Sequence, residues 1–143
     1  MTDSQGKVQL NYLAILVAAI ACFLLEAGWF SYFQQLWLDG IGRTREFMMS
    51  PAANNPALQY GTALAAAAVM AMAISCVIQA TGPQTAWRGV KAGALLWVGF
   101  EFTSWSTEYV FEVRPFSLLA INTGVWLFGM VIMGAIVGAW KKK

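Results

Sequence analysis

Four long apolar runs alternate with short polar segments along the 143-residue chain. Each run is long enough to cross a hydrocarbon core of about 30 Å as an α-helix, because a helix rises about 1.5 Å per residue. The pattern predicts an all-α membrane protein whose residues 1–143 form a single domain. Its four transmembrane helices are predicted at about residues 10–33, 57–80, 86–111 and 116–140.

The longest connection, residues 34–56, has interpretable features of its own. Trp37 and Leu38 suit a membrane interface, and Thr44 can cap a short amphipathic turn that follows it. Pro51 and Pro56 then break the chain before the second apolar run. We expect a short interfacial helix in this loop.

Lysine and arginine residues are distributed unequally between the two sides of the predicted bundle. Cytoplasmic loops carry an excess of these residues, so both termini are expected in the cytoplasm and the 34–56 loop on the outer side. The predicted cytoplasmic side carries Lys7, Arg88, Lys91, Lys141, Lys142 and Lys143, and the outer side carries Arg43, Arg45 and Arg114.

The amino-acid composition excludes several classes of function. The chain is 59% hydrophobic and 11% charged, whereas a soluble domain carries about 25% charged residues. A net charge of +2 is too small to suggest a nucleic-acid partner. The absence of histidine removes His-ligated zinc, His-ligated haem and Ser-His nucleophile pairs. We therefore expect a non-enzymatic protein without a metal or cofactor, and with the lipid bilayer as a partner.

The third apolar run carries the most unusual polar residues. Glu101, Ser104 and Glu108 fall on one face of a helix, and Glu26 lies at a similar depth in the first run. An acid near the bilayer centre costs about 2.5 to 3.5 kcal/mol, so such residues usually face a protein interior or a wet cavity. If the first and third helices are neighbours, the carboxyls could converge, and at least one would hold a proton. The pattern predicts a buried polar or ion-binding site at these four residues.

Two interpretations of these carboxyls remain open. They could bind a proton or cation, or they could only form polar contacts that lock helix pairs, each contributing about 0.6 kcal/mol. Glu112 and Arg114 are expected to form a surface ion pair at the outer turn.

Small residues recur at four-residue spacing in three of the runs. Such residues let helix backbones approach closely in lipid, where no hydrophobic effect drives association. The second helix is therefore expected at the centre of the bundle, and the third and fourth helices are expected to offer packing faces. The packing residues are Gly61, Ala65, Gly89, Gly93, Gly134 and Gly138.

Several short motifs together resemble a small bacterial membrane-protein family catalogued as domain of unknown function 1761. The resemblance covers residues 11–140 and is most specific in Phe111-Glu112-Val113-Arg114-Pro115-Phe116. It implies a four-helix, multi-pass protein of the bacterial inner membrane and no established activity. Many members carry Tyr-His after an Asn-x-Gly motif, where this chain has Val125-Trp126. The other motifs are Asn11 to Ala14, Gly28 to Phe30, Gly93 to Phe100, Ile121-Asn122-x-Gly124 and Gly134 to Trp140.

The favoured hypothesis is an accessory subunit or small homo-oligomer that assembles through Gly/Ala-rich helix faces and holds a buried glutamate site. Its partners would be other membrane subunits or copies of itself. The alternative is a small proton- or cation-coupled transporter that uses Glu26, Glu101 and Glu108.

Overall fold

The computed structural model describes residues 8–142, and it is helical almost throughout that range. Lys7 and Lys143, which entered the orientation prediction, lie outside the described residues. The elements are α1 (Tyr12–Tyr32), α2 (Gln34–Ile41), α3 (Arg45–Met49), α4 (Pro56–Thr81), α5 (Ala86–Leu96), a π-helical segment (Trp97–Phe102), α6 (Thr103–Phe111) and α7 (Phe116–Ala139).

Three helices, α1, α4 and α7, are long and apolar enough to cross a membrane. Their ends lie within two residues of the predicted ends. The third predicted span differs, because α5, the π segment and α6 contribute 11, 6 and 9 residues in succession instead of one uninterrupted α-helix. A π-helical turn holds an extra residue, which shifts the faces of the residues that follow it.

Side-chain caps fix where most of the helices begin. A side-chain oxygen just before each of these helices accepts a backbone N–H of its first turn, satisfying a donor that has no partner within the helix. The capping residues are Asn11 for α1, Thr44 for α3, Asn55 for α4 and Thr85 for α5.

The long helices form a bundle in which α7 is the common neighbour. α7 packs against α1, α4 and α5, and α4 also contacts both α1 and α5. α1 and α5 therefore occupy opposite corners of the bundle, with α4 and α7 between them. The main core is buried among α1, α4 and α7, and its largest fully buried side chains are Ile74, Ile78, Met133, Val137 and Cys22.

One end of the bundle, here called the terminal end, joins the two ends of the described chain. The Asn11 side chain donates to the Trp140 carbonyl at 3.3 Å. Gln79 bonds the Gln9 backbone in both directions, and the Gln84 amide donates to the Val137 carbonyl. The opposite end, here called the loop end, holds α2, α3 and the turn before α7, where Trp37 and Ile41 pack against Leu118.

The predicted packing glycines fall into two groups. A Cβ atom on Gly89 would overlap the Gly134 carbonyl, and one on Gly138 would overlap the Thr85 carbonyl, so these glycines bring α5 and α7 into backbone contact. A Cβ on Gly93 would overlap the Met130 carbonyl in the same way.

The small residues Gly61 and Ala65 of α4 do not face the core. Gly61 and Ala65 are exposed, and a Cβ on Gly61 would meet no atom of another helix within 4 Å. The side of α4 that faces the core is formed by Ala67, Ala71 and Ile74 instead. Gly61 and Ala65 therefore do not pack against another helix of this chain, because they lie on the side of α4 that faces away from its core.

Candidate functional site

Glu26 lines a cleft between four helices of the bundle. This cleft has a volume of about 390 Å³ and lies between α1, α2, α3 and α4 near the loop end. We call it the Glu26 cleft. Its lining is mostly apolar and is formed by Phe23, Glu26, Ala27, Phe30, Ser31, Gln34, Trp37, Leu38, Arg45, Met48, Met49, Tyr60 and Ala63.

Four aromatic rings stand in the wall of the Glu26 cleft as two edge-to-face pairs. Phe23 and Tyr60 have ring centroids 5.8 Å apart, and those of Phe30 and Trp37 are 5.7 Å apart. Edge-to-face contacts of this kind hold each ring in a defined orientation. The cleft therefore has four rings of defined orientation and one carboxylate in its lining.

The Glu26 carboxylate is half-buried and has a weak polar partner. The Cys22 thiol donates to its Oε1 atom at 3.6 Å, from one helical turn earlier. Arg45 lines the same cleft and is exposed, and within residues 8–142 it forms no ion pair with Glu26. The Glu26 carboxyl thus has no ion-pair partner in the described part of the protein.

The other predicted carboxyls lie elsewhere. Glu101 is half-buried within the π segment, whereas Ser104 and Glu108 are exposed on α6. Because α1 and this segment occupy opposite corners, Glu26 does not join Glu101 and Glu108. Among residues 8–142 there is no group of three His, Cys, Asp or Glu side chains suited to a metal ion. The condition on which convergence depended, that the first and third helices are neighbours, is not met.

The turn between α6 and α7 contains the expected ion pair. Glu112 and Arg114 are joined by a salt bridge that is partly exposed to solvent. The Arg114 guanidinium also stands over the Tyr109 ring, 5.5 Å from its centroid. Val113 between them has a φ of 54°, a left-handed conformation that costs a residue with a Cβ about 1 to 2 kcal/mol. The most specific motif of the family resemblance thus forms a strained, tightly bonded helix end.

Hydrogen bonds at residues 121–123 of α7, here called the polar belt, join α7 to the neighbouring helices. The sequence did not predict them. Trp29 donates its indole N–H to the Ile121 carbonyl at 3.0 Å, and Trp97 donates to the Thr123 carbonyl at 2.7 Å. The Asn122 side chain donates to the Tyr109 hydroxyl at 2.6 Å. The sequence feature that could have indicated these bonds is the presence of Asn122 and Thr123 inside an apolar run.

Two further positions complete this belt. Gly124 leaves room for the Trp29 ring, since a Cβ there would lie 3.1 Å from it. Val125 is fully buried and Trp126 packs against the core, so these two residues serve packing.

Comparison with known proteins gives a family and no activity. No curated protein and no solved structure shows a significant match to the chain. The family model described as "Protein of unknown function (DUF1761)" matches residues 13–138, which include α2 to α6 and all but one residue of each of α1 and α7. The chain therefore belongs to the DUF1761 family of proteins of unknown function.

Proposed function

We propose that this protein is a four-span, multi-pass protein of the bacterial inner membrane, with both termini in the cytoplasm. In this proposal it is a non-enzymatic accessory subunit or small homo-oligomer. The segment from α5 to α6 is the fourth span, in addition to α1, α4 and α7. This assignment is supported by contacts at both ends of the bundle, since Arg88 donates to the Thr81 carbonyl at the terminal end and Tyr109 packs near Leu118 at the loop end.

The exposed face of α6 is the observation that carries the assembly proposal. Ser104 and Glu108 lie one helical turn apart and both point away from the bundle. Large apolar side chains flank them, and Phe100, Val110 and Phe111 are 70%, 76% and 83% exposed. A carboxyl between such residues would meet lipid if α6 were unpartnered, and this is costly inside a bilayer. A polar group on a neighbouring subunit or second copy would remove that cost.

The glycines of α5 and α7 do not provide this contact. Gly89, Gly134 and Gly138 are already packed backbone to backbone within the chain. The contact surface for a partner is therefore assigned to α6. Because Glu26 lies at the opposite corner from Glu101 and Glu108, we do not propose a relay among the three carboxyls.

Native mass spectrometry of the protein extracted from its own membranes in mild detergent tests this proposal. The expected result is a mass above the 15.6 kDa of one chain, either a multiple of it or a sum with other subunits. Replacing both Ser104→Leu and Glu108→Leu removes the polar groups without adding a charge to the lipid face. We expect this double variant to lose most of the assembled species.

The matched control is Val69→Leu, a change on the exposed face of α4 that should leave assembly unchanged. A wild-type mass of a single chain would overturn the proposal. Unaltered assembly of the Ser104→Leu, Glu108→Leu variant would show that α6 is not the contact surface.

A further inference from the structure

The Glu26 cleft has no role in assembly through α6, which lies at another corner of the bundle. We propose that this cleft binds a monovalent organic ammonium cation with an apolar body. The Glu26 carboxylate would contact the ammonium group, and the four rings of the wall would surround it. This inference is independent of the proposed function, because it needs neither a partner subunit nor Glu108.

The unpaired Glu26 carboxylate favours a cation as the ligand. Glu26 is the carboxylate of the lining, and within residues 8–142 it has no basic partner. Its polar contact is the Cys22 thiol, which is a weak hydrogen-bond donor. A partly buried carboxylate without a counter-ion is stabilised by a bound positive charge.

The rings favour an organic cation over a metal ion. The faces of aromatic rings attract a cation, and aromatic cages are widely used to recognise quaternary ammonium groups. Phe23, Phe30, Trp37 and Tyr60 all line the cleft and are oriented by their edge-to-face pairing. A metal ion would instead need several oxygen, nitrogen or sulfur ligands, and no such group of acidic, histidine or cysteine side chains is present among residues 8–142.

The size and remaining lining favour an apolar body attached to the cation. A volume of about 390 Å³ exceeds that of an ammonium group alone and is within the usual range of ligand pockets, about 300 to 1,000 Å³. Met48 and Met49 give the wall a flexible apolar surface that adapts to different shapes. The wall is thus suited to an alkyl or aryl group.

Arg45 limits the charge of the ligand. Arg45 is an exposed residue of the same cleft, so a second positive charge on the ligand would be repelled by its side chain. The ammonium group could belong to a free monocation, or to a zwitterionic lipid headgroup whose phosphate pairs with Arg45. Both sources share the same contact with Glu26.

Isothermal titration calorimetry on the full chain in maltoside detergent tests the proposal with three probes of equal chain length. The probes are hexyltrimethylammonium, zwitterionic hexylphosphocholine and uncharged hexanol. We expect the wild type to bind at least one of the two ammonium probes and to bind hexanol at least about tenfold more weakly. Glu26→Gln keeps the size and removes the charge, so it should weaken the ammonium binding by about tenfold or more.

Arg45→Ala distinguishes the two sources. Removing a repulsive charge should strengthen binding of hexyltrimethylammonium if a free monocation is the ligand. Removing a phosphate partner should weaken binding of hexylphosphocholine if a lipid headgroup is the ligand. Either result supports the ammonium site at Glu26.

The matched control is Glu112→Gln, which removes an exposed carboxylate at the turn between α6 and α7, outside the lining of the cleft, and should leave ammonium binding unchanged. Tyr60→Leu gives a second variant, because Tyr60 is 62% exposed and its loss should not unfold the chain. It should weaken ammonium binding by about threefold through the loss of one ring. No detectable ammonium binding by the wild type, equal binding of hexanol, or equal binding by both Glu26→Gln and Tyr60→Leu would overturn the proposal.

Discussion

Two regions of the bundle contain small residues at the same four-residue spacing but have different surroundings. Between α5 and α7, Gly89 and Gly134 face each other so closely that a Cβ on either would overlap the backbone of the other helix. On the outer face of α4, Gly61 is exposed and a Cβ there would meet no atom of another helix within 4 Å. The spacing alone therefore does not distinguish a helix contact from an exposed face. The neighbouring helix decides the role of the residue.

The largest expected effect is that of Gly89→Ala. The added methyl group would overlap the Gly134 carbonyl, which is backbone and cannot rotate away, so α5 and α7 would have to separate. Overpacking costs about 1 to 3 kcal/mol, and we expect this variant at the upper end, about 3 kcal/mol. The free energy of unfolding in mixed detergent, followed by circular dichroism, measures the loss. A variant as stable as the wild type would contradict the close α5–α7 contact.

A smaller loss is expected for Gly138→Ala. A Cβ there would overlap the Thr85 carbonyl, and Thr85 caps α5 through its hydroxyl, which accepts the Arg88 N–H at 3.2 Å. The contact lies near the ends of both helices, where the chain can shift more easily than at Gly89. We expect a loss of about 1 to 2 kcal/mol, part of it from the disturbed cap. A loss larger than that of Gly89→Ala in the same unfolding assay would reverse this order.

The apolar runs and the capping residues account for the parts of the fold that sequence reasoning predicted. The ends of α1, α4 and α7 lie close to their predicted positions, since polar capping residues and prolines mark the ends of the runs. The short helix after Thr44 is present as α3, and its cap hydrogen bond from Phe47 N–H measures 3.2 Å. The π segment at Trp97–Phe102 had no comparable signal, because its residues continue the apolar run without a proline.

The sequence predicted less of the candidate site than of the fold. Helical periodicity places Glu101, Ser104 and Glu108 on one face, but it does not state which helix that face meets. The structure puts Glu26 among aromatic rings of α1, α2 and α4, which are far apart in the sequence. Convergence of the carboxyls depended on α1 and the third segment being neighbours, and hydropathy carries no information on helix order around a bundle.

The smallest effect is expected for Gly61→Ala. This variant tests the exposed glycine of α4, whereas the two variants above test the packed glycines of α5 and α7. No atom of another helix lies within 4 Å of the new methyl group, and alanine is favoured over glycine inside a helix by about 0.5 to 1 kcal/mol. We therefore expect a slight gain in the free energy of unfolding, in the same assay in which Gly89→Ala causes a large loss. The native mass should stay as in the wild type, because assembly is assigned to α6. If Gly61→Ala instead lowers the mass of the assembled species, the outer face of α4 is covered by a neighbouring subunit. In that case Gly61 would share the role of Gly89 between chains, and the contact surface would have to be moved from α6 to α4.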